Sequence, residues 1–299
     1  MIVELEKAKV AIILVNYNGY DDTRECVLSL ESMSSNAGVI IVDNGSKDEM
    51  CKKIRDESPN VVVLISTDNL GFAGGNNLGI DYALKYNIEY IMLLNNDTVV
   101  DKDLLTELMK KEDPDTIQAP RMMYYKEPDR IWYAGGEFDK ITGRSLHYHM
   151  NNILKPEYKD NTFCTFATGC CLLIPVGLIE DYGKLDDKYF MYCEDSEYCL
   201  RIITAGKKIK YVGNAVLWHK VSSSTGGEES LFSVYYMTRN RLLYLKTYKQ
   251  YFSNITIPLF YVTRILRVIQ YFIKGDKERS KVVYRALKDG INGKYGKSY

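Results

Sequence analysis

Three groups of residues have the types and spacing of catalytic or metal-binding side chains. Asn95-Asn96-Asp97 follows an apolar run, and a carboxylate at the tip of a buried strand is well placed to hold a divalent cation, which prefers oxygen ligands. Glu194, Asp195 and Glu197 crowd three carboxylates into one short segment, and like charges raise carboxyl pKa values, which suits a general base. His219 ends another apolar run, and it completes a metal site with Asp97 if the fold brings the two together.

Each group also has a purely structural interpretation. Asp97 can accept local turn hydrogen bonds, and a histidine at a strand end is more often a core or rim residue than a ligand. The acids at 194–197 also suit the N-terminus of a helix, where the dipole favours negative charge. Taken singly, the structural interpretation is favoured for Asp97 and His219, whereas for the acids both interpretations can hold together.

The glycine-rich segment Asp68–Asn77 is either a phosphate cradle or a glycine-rich turn. It has neither the Gly-x-Gly-x-x-Gly pattern of dinucleotide-binding folds nor the Walker pattern that ends in Gly-Lys-Ser/Thr. The absence of both patterns argues against a dehydrogenase and against a nucleotide triphosphatase.

Strand and helix signals alternate over the part of the chain that must position these residues. Apolar runs predict four buried strands: Val10–Val15, Gly38–Val42, Val61–Ile65 and Ile88–Leu94. Helices are predicted at Asp22–Ser32, near Asn76–Tyr86, and from an N-cap at Asp101 to about Glu112. This alternation predicts a parallel sheet with helices on both faces, whose ligands bind at the carboxyl ends of the strands. Four polar clusters follow the predicted strands: Asn16–Gly19, Asp43–Ser46, Asp68–Asn77 and Asn95–Asp97.

The rest of the chain changes character twice. Strand-like segments at Asp129–Ala134, Thr162–Pro175 and Lys208–Trp218 mix with glycine turns, which predicts a mixed continuation of the same sheet. Beyond Glu228 the sequence is mostly helical. We therefore expect an α/β domain over 1–228, with halves at about 9–112 and 113–228, and a C-terminal helical segment over 229–299.

Composition excludes several classes of protein. The chain has 299 residues, of which 46% are hydrophobic and 26% charged, and these values exclude collagen-like and wholly disordered chains. A net charge of zero argues against nucleic acid as a partner. Seven scattered cysteines without a Cys-x-x-Cys pair indicate reduced thiols in a cytoplasmic protein, and neither a disulfide framework nor a zinc cage.

The C-terminal segment is basic although the whole chain is neutral. Residues 239–299 hold 14 Lys and Arg against 3 Asp and Glu, which indicates an anionic partner there. Ile255–Ile273 is strongly apolar, but Arg264 and Arg267 near its middle would cost ~5–7 kcal/mol in a membrane span. We therefore expect a helix that lies in the interface of an anionic membrane, or one that packs on the body or forms a homodimer.

In combination, seven segments resemble the family 2 glycosyltransferases with a GT-A fold, particularly their rhamnosyltransferase-like bacterial branch. The segments are Asn16–Asn18, Val42–Ser46, Asn69–Gly79, Leu94–Asp97, Phe166–Ile174, Tyr192–Asp195 and Trp218–His219. In the same order, they resemble the family's first nucleotide loop, base-recognising aspartate, donor loop, Asp-x-Asp variant, acceptor-side strand, Glu-Asp catalytic motif and late metal-ligand histidine. The resemblance covers about residues 9–245. Asn95 replaces the first aspartate of Asp-x-Asp, and Asn76 stands where many relatives have an arginine.

The resemblance implies an inverting glycosyltransferase of cell-surface polysaccharide synthesis, in the cytoplasm or on the inner face of the membrane. Its donor would be a nucleoside-diphosphate sugar, such as dTDP-rhamnose or a UDP-sugar, and its acceptor a hydroxyl of a saccharide or lipid-linked saccharide. The implied donor-binding residues are Val15, Tyr17, Asp43, Asn69, Asn77, Asn95, Asn96 and Asp97. Asp97 and His219 would hold Mg²⁺ or Mn²⁺ on the diphosphate. Asp195 would be the catalytic base, with Glu194 and Gly169 binding the acceptor.

Two other functions compete with this one. A nucleotidyltransferase also builds a metal site on a nucleotide-binding α/β sheet, but it releases pyrophosphate rather than a nucleoside diphosphate. A non-catalytic sugar-nucleotide binding protein would not need Asp97, Asp195 and His219 together.

Overall fold

A mixed sheet of ten strands forms the centre of the described part of the chain. The structure is a computed structural model that describes residues 1–47, 50–110, 113–221 and 230–298, with the side chains of 50–52 excepted. The strands are β1 Val10–Asn16, β2 Gly38–Asn44, β3 Val61–Ser66, β4 Tyr90–Asn95, β5 Thr98–Val100, β6 Thr116–Tyr124, β7 Ile131–Tyr133, β8 Gly136–Phe138, β9 Ser145–His147, β10 Thr162–Cys164, β11 Cys171–Pro175 and β12 Lys208–His219. The main order is β10-β12-β6-β11-β4-β1-β2-β3, with β5 on β12 and β7 on β6, and β8 pairs with β9 apart from this sheet.

The four predicted strands are confirmed as a parallel group, β4-β1-β2-β3. Their residues are apolar and mostly buried, as expected of parallel strands covered on both faces. The pairing register places Asn16 beside Asp43 and Val15 beside Asn95. The polar clusters that follow β1, β2 and β4 therefore lie along one edge of the sheet.

The predicted mixed continuation is also confirmed, with one wrong boundary. β11 runs antiparallel to β4 and β6, whereas β12 runs parallel to β6. The predicted single strand Thr162–Pro175 is two strands, because the backbone leaves the sheet between them and the N–H groups of Thr165 and Phe166 donate to Gly136 O. The sequence analysis missed β6, which contains Pro120, and a proline argues against a central strand. Pro120 stands opposite a bulge in β12.

Helices cover the sheet, and two predicted helix starts are wrong. The helices are α1 Tyr20–Glu31, α2 Met50–Glu57, α3 Gly71–Ala83, α4 Leu104–Met109, α5 Val176–Tyr182, α6 Glu194–Thr204, α7 Leu231–Thr247, α8 Thr256–Ile273 and α9 Lys277–Ile291. α3 begins at Gly71, five residues before the prediction, so the glycines lie inside its first turns. Asp101 is not the N-cap of α4; its Oδ1 accepts from the N–H of Asp103, which is the N-cap. The predicted end near Glu112 lies outside the described residues.

The C-terminal helices are confirmed and share the core of the sheet. Leu242, Tyr244 and Leu245 of α7 are buried in the same apolar cluster as the strands. Phe260 of α8 and Leu287 of α9 belong to that cluster as well. In the part of the chain that the structure describes, no helix has the length and apolar character needed to cross a membrane.

Candidate active site

Asp97 and His219 meet at the edge of the sheet where β4 ends. His219 is the last residue of β12 and pairs with Thr98 of β5, so the short strand that follows Asp97 brings the two side chains together. His219 Nε2 lies 3.1 Å from Asp97 Oδ1, and both residues are buried. The Asp97 carbonyl accepts from Lys220 N at 3.0 Å, which fixes the backbone of both residues.

This pair fits two neighbouring ligands of one divalent cation. Ligands about 2.1 Å from an octahedral ion lie roughly 3.0 Å apart, close to the Nε2–Oδ1 separation. The other ring nitrogen of His219, Nδ1, is buried without a hydrogen-bond partner in the structure, and the ring packs edge-on against Trp132 at 4.4 Å. Among the described residues no group of three or more His, Cys, Asp or Glu is placed to hold an ion. Diphosphate oxygens and water would have to complete the coordination.

The residues predicted to bind the nucleotide base lie at the ends of β1 and β2, one and two strands away from β4. Asp43 at the end of β2 is buried, and its Oδ1 accepts from the backbone N–H of Ser46 at 3.3 Å and from Asn16 Nδ2 at 3.4 Å. Tyr17 follows β1 and is exposed, with 41% of its surface accessible. A fixed buried carboxylate beside an exposed aromatic ring suits a base that stacks on the ring and donates to the acid.

Asn95 and Asn96 fix the backbone at the end of β4, just before Asp97. Asn96 Nδ2 donates to the Thr23 hydroxyl on α1 at 2.8 Å, and the Asn95 carbonyl accepts from the Thr98 hydroxyl. Val15, partly buried, pairs with Asn95 across the β1–β4 ladder. These contacts place the predicted donor-binding residues on one continuous edge.

Asn69 and Asn77 support the glycine-rich loop that precedes and forms α3. Asn69 Oδ1 accepts from the N–H of Gly71, which has a φ of +76°. A Cβ on Gly71 would lie 2.1 Å from the carbonyl oxygen of Phe190, so only glycine fits this close approach. Asn77 Nδ2 donates to Leu185 O, whereas its buried Oδ1 has no partner in the structure.

Asp195 is held by backbone N–H groups at the start of α6. Its Oδ2 accepts from Gly169 N at 3.0 Å and its Oδ1 from Ser196 N at 2.6 Å. Burial raises the pKa of Asp195, and these hydrogen bonds oppose the rise by favouring the ionised form. Asp195 as a residue is only partly buried, unlike Glu194 beside it.

Glu194 has a different environment although it is the neighbouring residue. It is buried, and its Oε2 has no hydrogen-bond partner in the structure. Burial, followed by the charge of Asp195, raises the pKa of Glu194 to about 8. At neutral pH a protonated Glu194 can donate a hydrogen bond, whereas the backbone N–H groups around Asp195 favour its ionised form.

The backbone that leads into this pair is strained and is clamped by α7. Phe190, Tyr192 and Cys193 all have positive φ angles, between 63° and 70°, which cost energy in residues other than glycine. Fully buried Asn240 donates through Nδ2 to three carbonyls of this segment, each at 2.8 Å. Fully buried Arg239 donates to Tyr189 O. Neither residue was predicted from the sequence, because no local pattern distinguishes them from other polar residues of a helix.

The donor side and the acid pair are parts of one site. Phe72 N, in the glycine-rich loop, donates to Phe190 O at 2.7 Å, just before the strained segment. Cys170 follows Gly169 and accepts through its carbonyl from Asn95 N at 2.8 Å. Burial and the charge of Asp97 raise the pKa of the Cys170 thiol, which places that thiol near the metal-ligand pair. A single residue step, Gly169–Cys170, thus joins a contact of Asp195 to a contact of Asn95, which lies two residues before Asp97.

Comparison with known proteins gives a matching family and several relatives. Residues 11–183 match the family described as Glycosyl transferase family 2. The chain is similar to the low-salt glycan biosynthesis hexosyltransferase Agl10 of Haloferax volcanii, with 26% identity over 78% of this chain and 74% of the relative. It is similar to the rhamnosyltransferase WbbL of Escherichia coli, with 26% identity over 75% of this chain and 87% of the relative. These relatives confirm the predicted rhamnosyltransferase-like resemblance.

Solved structures confirm the fold class. A mannosyltransferase, PcManGT from Pyrobaculum calidifontis in complex with GDP-Man and Mn²⁺, superposes with a TM-score of 0.59 and 11% identity over 98% of this chain and 90% of that one. GalNAc-T7 with UDP, GalNAc and Mn²⁺ gives a TM-score of 0.66 and 15% identity over 81% of this chain. This chain spans 49% of the length of GalNAc-T7. Both are GT-A glycosyltransferases, so the predicted GT-A architecture is confirmed.

Proposed function

Because this chain belongs to glycosyl transferase family 2, we propose that it transfers a sugar from a nucleoside diphosphate to an acceptor hydroxyl, with inversion of configuration and with a bound divalent cation. The observation that carries the proposal is the arrangement of Asp97, His219 and Asp195 around the Gly169–Cys170 step. A diphosphate bound at Asp97 and His219 and a base at Asp195 would both lie next to this step, which supports transfer between them.

The acid pair supplies the proton chemistry. Asp195 accepts the proton of the acceptor hydroxyl, whose oxygen forms a bond to the anomeric carbon as the bond to the diphosphate breaks. The attack comes from the face opposite the diphosphate, so configuration inverts. Glu194, protonated at neutral pH, donates a hydrogen bond that orients the acceptor.

The donor side binds and orients the nucleotide. Asp43 accepts from the base, Tyr17 stacks on it, and the loop at Asn69 and Asn77 surrounds the sugar diphosphate. Mg²⁺ or Mn²⁺ on Asp97 and His219 would act as a Lewis acid on the leaving diphosphate. The Mn²⁺ in both solved neighbours supports a divalent cation here. The rhamnosyltransferases among the relatives favour dTDP-rhamnose as the donor, with a UDP-sugar as the second candidate.

The products of donor turnover test this function. The chain is incubated with Mn²⁺, a panel of nucleoside-diphosphate sugars and saccharide acceptors, and the released phosphates are identified. Release of a nucleoside diphosphate together with a glycosylated acceptor supports the proposal. Pyrophosphate release would identify a nucleotidyltransferase, and binding without turnover would identify a sugar-nucleotide binding protein.

The outer face of α8 supports a site of action at the inner surface of an anionic membrane. The helix buries Thr256, Phe260 and Arg264 against the body. Its exposed side carries Arg267, Gln270 and six large apolar side chains, each of the six with about half or more of its surface accessible: Val262, Ile265, Leu266, Ile269, Phe272 and Ile273. An exposed apolar face in a segment with a large excess of Lys and Arg fits anionic lipid, where the basic residues meet the headgroups.

A further inference from the structure

Four arginines converge where α7 and α8 pack on the loop between β8 and β9. Arg241 of α7 and Arg264 of α8 lie over the same ring, that of Phe260, at 5.6 and 5.4 Å from its centre. Arg241 Nη2 also donates to Thr142 O in the loop at 2.5 Å. Arg144 of β8–β9 and Arg267 of α8 are exposed, whereas Arg264 is buried and Arg241 partly buried. We call these four residues the arginine cluster.

The described residues give the arginine cluster no carboxylate partner. No ion pair to any of its members occurs there, and the Nε atoms of Arg241 and Arg264 are buried without hydrogen-bond partners. The buried hydroxyl of Thr142 beside them also lacks a partner. Asp139 is near enough to act on Arg241, but its Oδ1 accepts from two backbone N–H groups of its own loop. A buried guanidinium with an unsatisfied N–H group and no opposite charge beside it is unfavourable, so a further group is expected here.

The positive charges of the arginine cluster repel one another. Burial, followed by the charges of Arg241, Arg267 and Arg144, lowers the pKa of Arg264 to about 10. Burial likewise lowers the pKa of Arg241. In the absence of a ligand the ionised arginines therefore destabilise the fold, because the unfolded chain binds these protons more tightly than the folded one.

Two other arginines of the chain are engaged by several acceptors. Buried Arg239 donates to Asn240 and to three further oxygen atoms, including Tyr189 O and Gly296 O. Partly buried Arg201 pairs with Glu197 and donates to two carbonyls. The arginine cluster differs from these two residues, whereas buried Arg121 also has Nε and Nη1 atoms without partners in the structure.

The cluster lies on the acceptor side of the candidate active site. The phenol of Tyr244 donates to Gly143 O, next to Arg144, at 2.6 Å. Burial raises the pKa of Tyr244, and the charges of both Arg241 and Asp195 act on it. The charge of Arg241 also opposes the rise that burial causes in the pKa of the Cys193 thiol, and Cys193 is the residue before Glu194. Tyr244 and Cys193 are therefore within electrostatic range of Arg241 and also of Asp195, which relates the cluster to the acceptor side of the candidate active site.

We propose that the arginine cluster binds a phosphate or diphosphate group carried by the acceptor. The proposal rests on the proposed glycosyltransferase function, and it gives the acceptor a chemical class: a sugar attached to a phosphate ester. Guanidinium groups bind phosphate oxygens in pairs, which would satisfy both orphaned Nε atoms. The exposed Arg144 and Arg267 would meet the anion first, and the buried pair would hold it. The donor diphosphate has its own site at Asp97 and His219.

Direct binding tests the proposal without turnover. Inorganic pyrophosphate and farnesyl diphosphate are titrated into the full chain by calorimetry. Chelator is present so that binding through a cation at Asp97 and His219 does not contribute. Arg241→Gln/Arg264→Gln should weaken binding of both probes ~10-fold or more, as expected for lost hydrogen bonds to a charged group. Arg267→Gln should weaken it less. Lys281→Gln, on exposed α9 with the same change of charge, should leave it unchanged.

The unliganded variants separate a binding site from a structural one. The double variant should unfold at the same temperature as the wild type or a higher one, because it loses two mutually repelling buried charges. A lower unfolding temperature, absent pyrophosphate binding by the wild type, or equal binding by the double variant would each overturn the proposal. Tighter binding of farnesyl diphosphate than of pyrophosphate would identify a lipid-linked acceptor, and equal binding an acceptor whose phosphate alone is recognised.

Donor turnover, measured on the same preparations, keeps the two proposals apart. Absence of probe binding by the wild type, together with intact nucleoside-diphosphate release, would overturn the arginine site alone. Probe binding without any donor turnover would overturn the proposed function and leave an anion site.

Discussion

The backbone N–H of Gly169 donates to Asp195 Oδ2 at 3.0 Å and thereby joins the turn before β11 to the first turn of α6. A Cβ on Gly169 would lie 3.3 Å from Asp195 Cβ and 3.2 Å from the ring of Phe72, so a side chain there would crowd both. This relationship gives Gly169 a positioning role in addition to the acceptor contact that the sequence resemblance implies.

Replacing the proposed base should stop transfer and spare donor binding. Asp195→Asn should lower turnover by ~10²–10⁴ because the amide cannot accept the hydroxyl proton. The affinity for the nucleoside diphosphate, measured by calorimetry with Mn²⁺, should stay near the wild-type value, since Asp195 faces the acceptor. Asp181→Asn, an exposed control of equal charge change, should behave as wild type. Retention of more than half of the turnover by Asp195→Asn would contradict the assignment.

Glu194 should make stability depend on pH. Its pKa is about 8 in the folded chain against an ordinary value of 4.5, so the folded state binds a proton that the unfolded state has lost. The free energy of unfolding should therefore fall as pH rises from about 4.5 to about 8 and then level off, with a slope of up to ~1.4 kcal/mol per pH unit. Urea titrations across that range should show a smaller slope for Glu194→Gln. Exposed Glu180→Gln should retain the wild-type slope, and an unchanged slope in Glu194→Gln would refute the prediction.

The proposed metal ligands, Asp97 and His219, should control the affinity for the donor. Asp97→Ala should weaken binding of the nucleoside diphosphate in Mn²⁺ ~10–100-fold, because it removes an ionised ligand, and His219→Ala should show a milder defect. Asp129→Asn, exposed and remote in the sequence, is the control. Activity should disappear in excess chelator and return with Mg²⁺ or Mn²⁺. Full activity in chelator would remove the cation from the proposal.

The clamp at Asn240 should affect turnover more than donor binding. Asn240→Ala removes all three hydrogen bonds that hold the strained segment before Glu194, so the acid pair should move away from its working position. Misplacement of catalytic groups by about 1 Å costs up to ~10² in rate. Steady-state assays should show a fall in kcat with little change in donor affinity, and Gln250→Ala, exposed beyond the end of α7, should show neither. Equal losses in both parameters would indicate a general structural role.

The edge of the sheet was predictable from the sequence because parallel strands leave a strong local signal. The runs at Val10–Val15 and Ile88–Leu94 are apolar, buried and followed by turn residues, so strand ends and their polar clusters could be placed together. The pairing of Asp97 with His219 needed the resemblance as well. The two residues are 122 positions apart, and only the β5–β12 pairing, which the sequence analysis missed, brings them together.

The parts that the sequence did not predict depend on tertiary packing. Nothing local distinguishes Asn240 from any polar residue in a helix; its role depends on three carbonyls about 50 positions away. The arginine cluster likewise combines two helices with a loop. From the sequence, the charge of Arg264 argues only against a membrane span. Its burial beside Arg241 and Thr142 becomes visible only in the fold.

Membrane binding should depend on both the apolar face of α8 and the charge of the lipid. The chain should co-sediment with vesicles that contain anionic lipid and stay in solution with neutral vesicles, and added salt should weaken the binding by screening. Basic residues near such a surface contribute ~1 kcal/mol each, so a few of them suffice for reversible docking.

A matched pair of variants locates this contact. Ile265→Glu/Ile269→Glu places two charges on the exposed face of α8 and should abolish vesicle binding, because it removes apolar burial and adds repulsion from the lipid. Ile141→Glu/Ile153→Glu changes two equally exposed isoleucines elsewhere and should bind like the wild type. Light scattering in solution provides the competing outcome. If the wild type is a dimer that the α8 variant dissociates, and neither protein binds anionic vesicles at low salt, this face joins two copies of the chain and the membrane proposal fails.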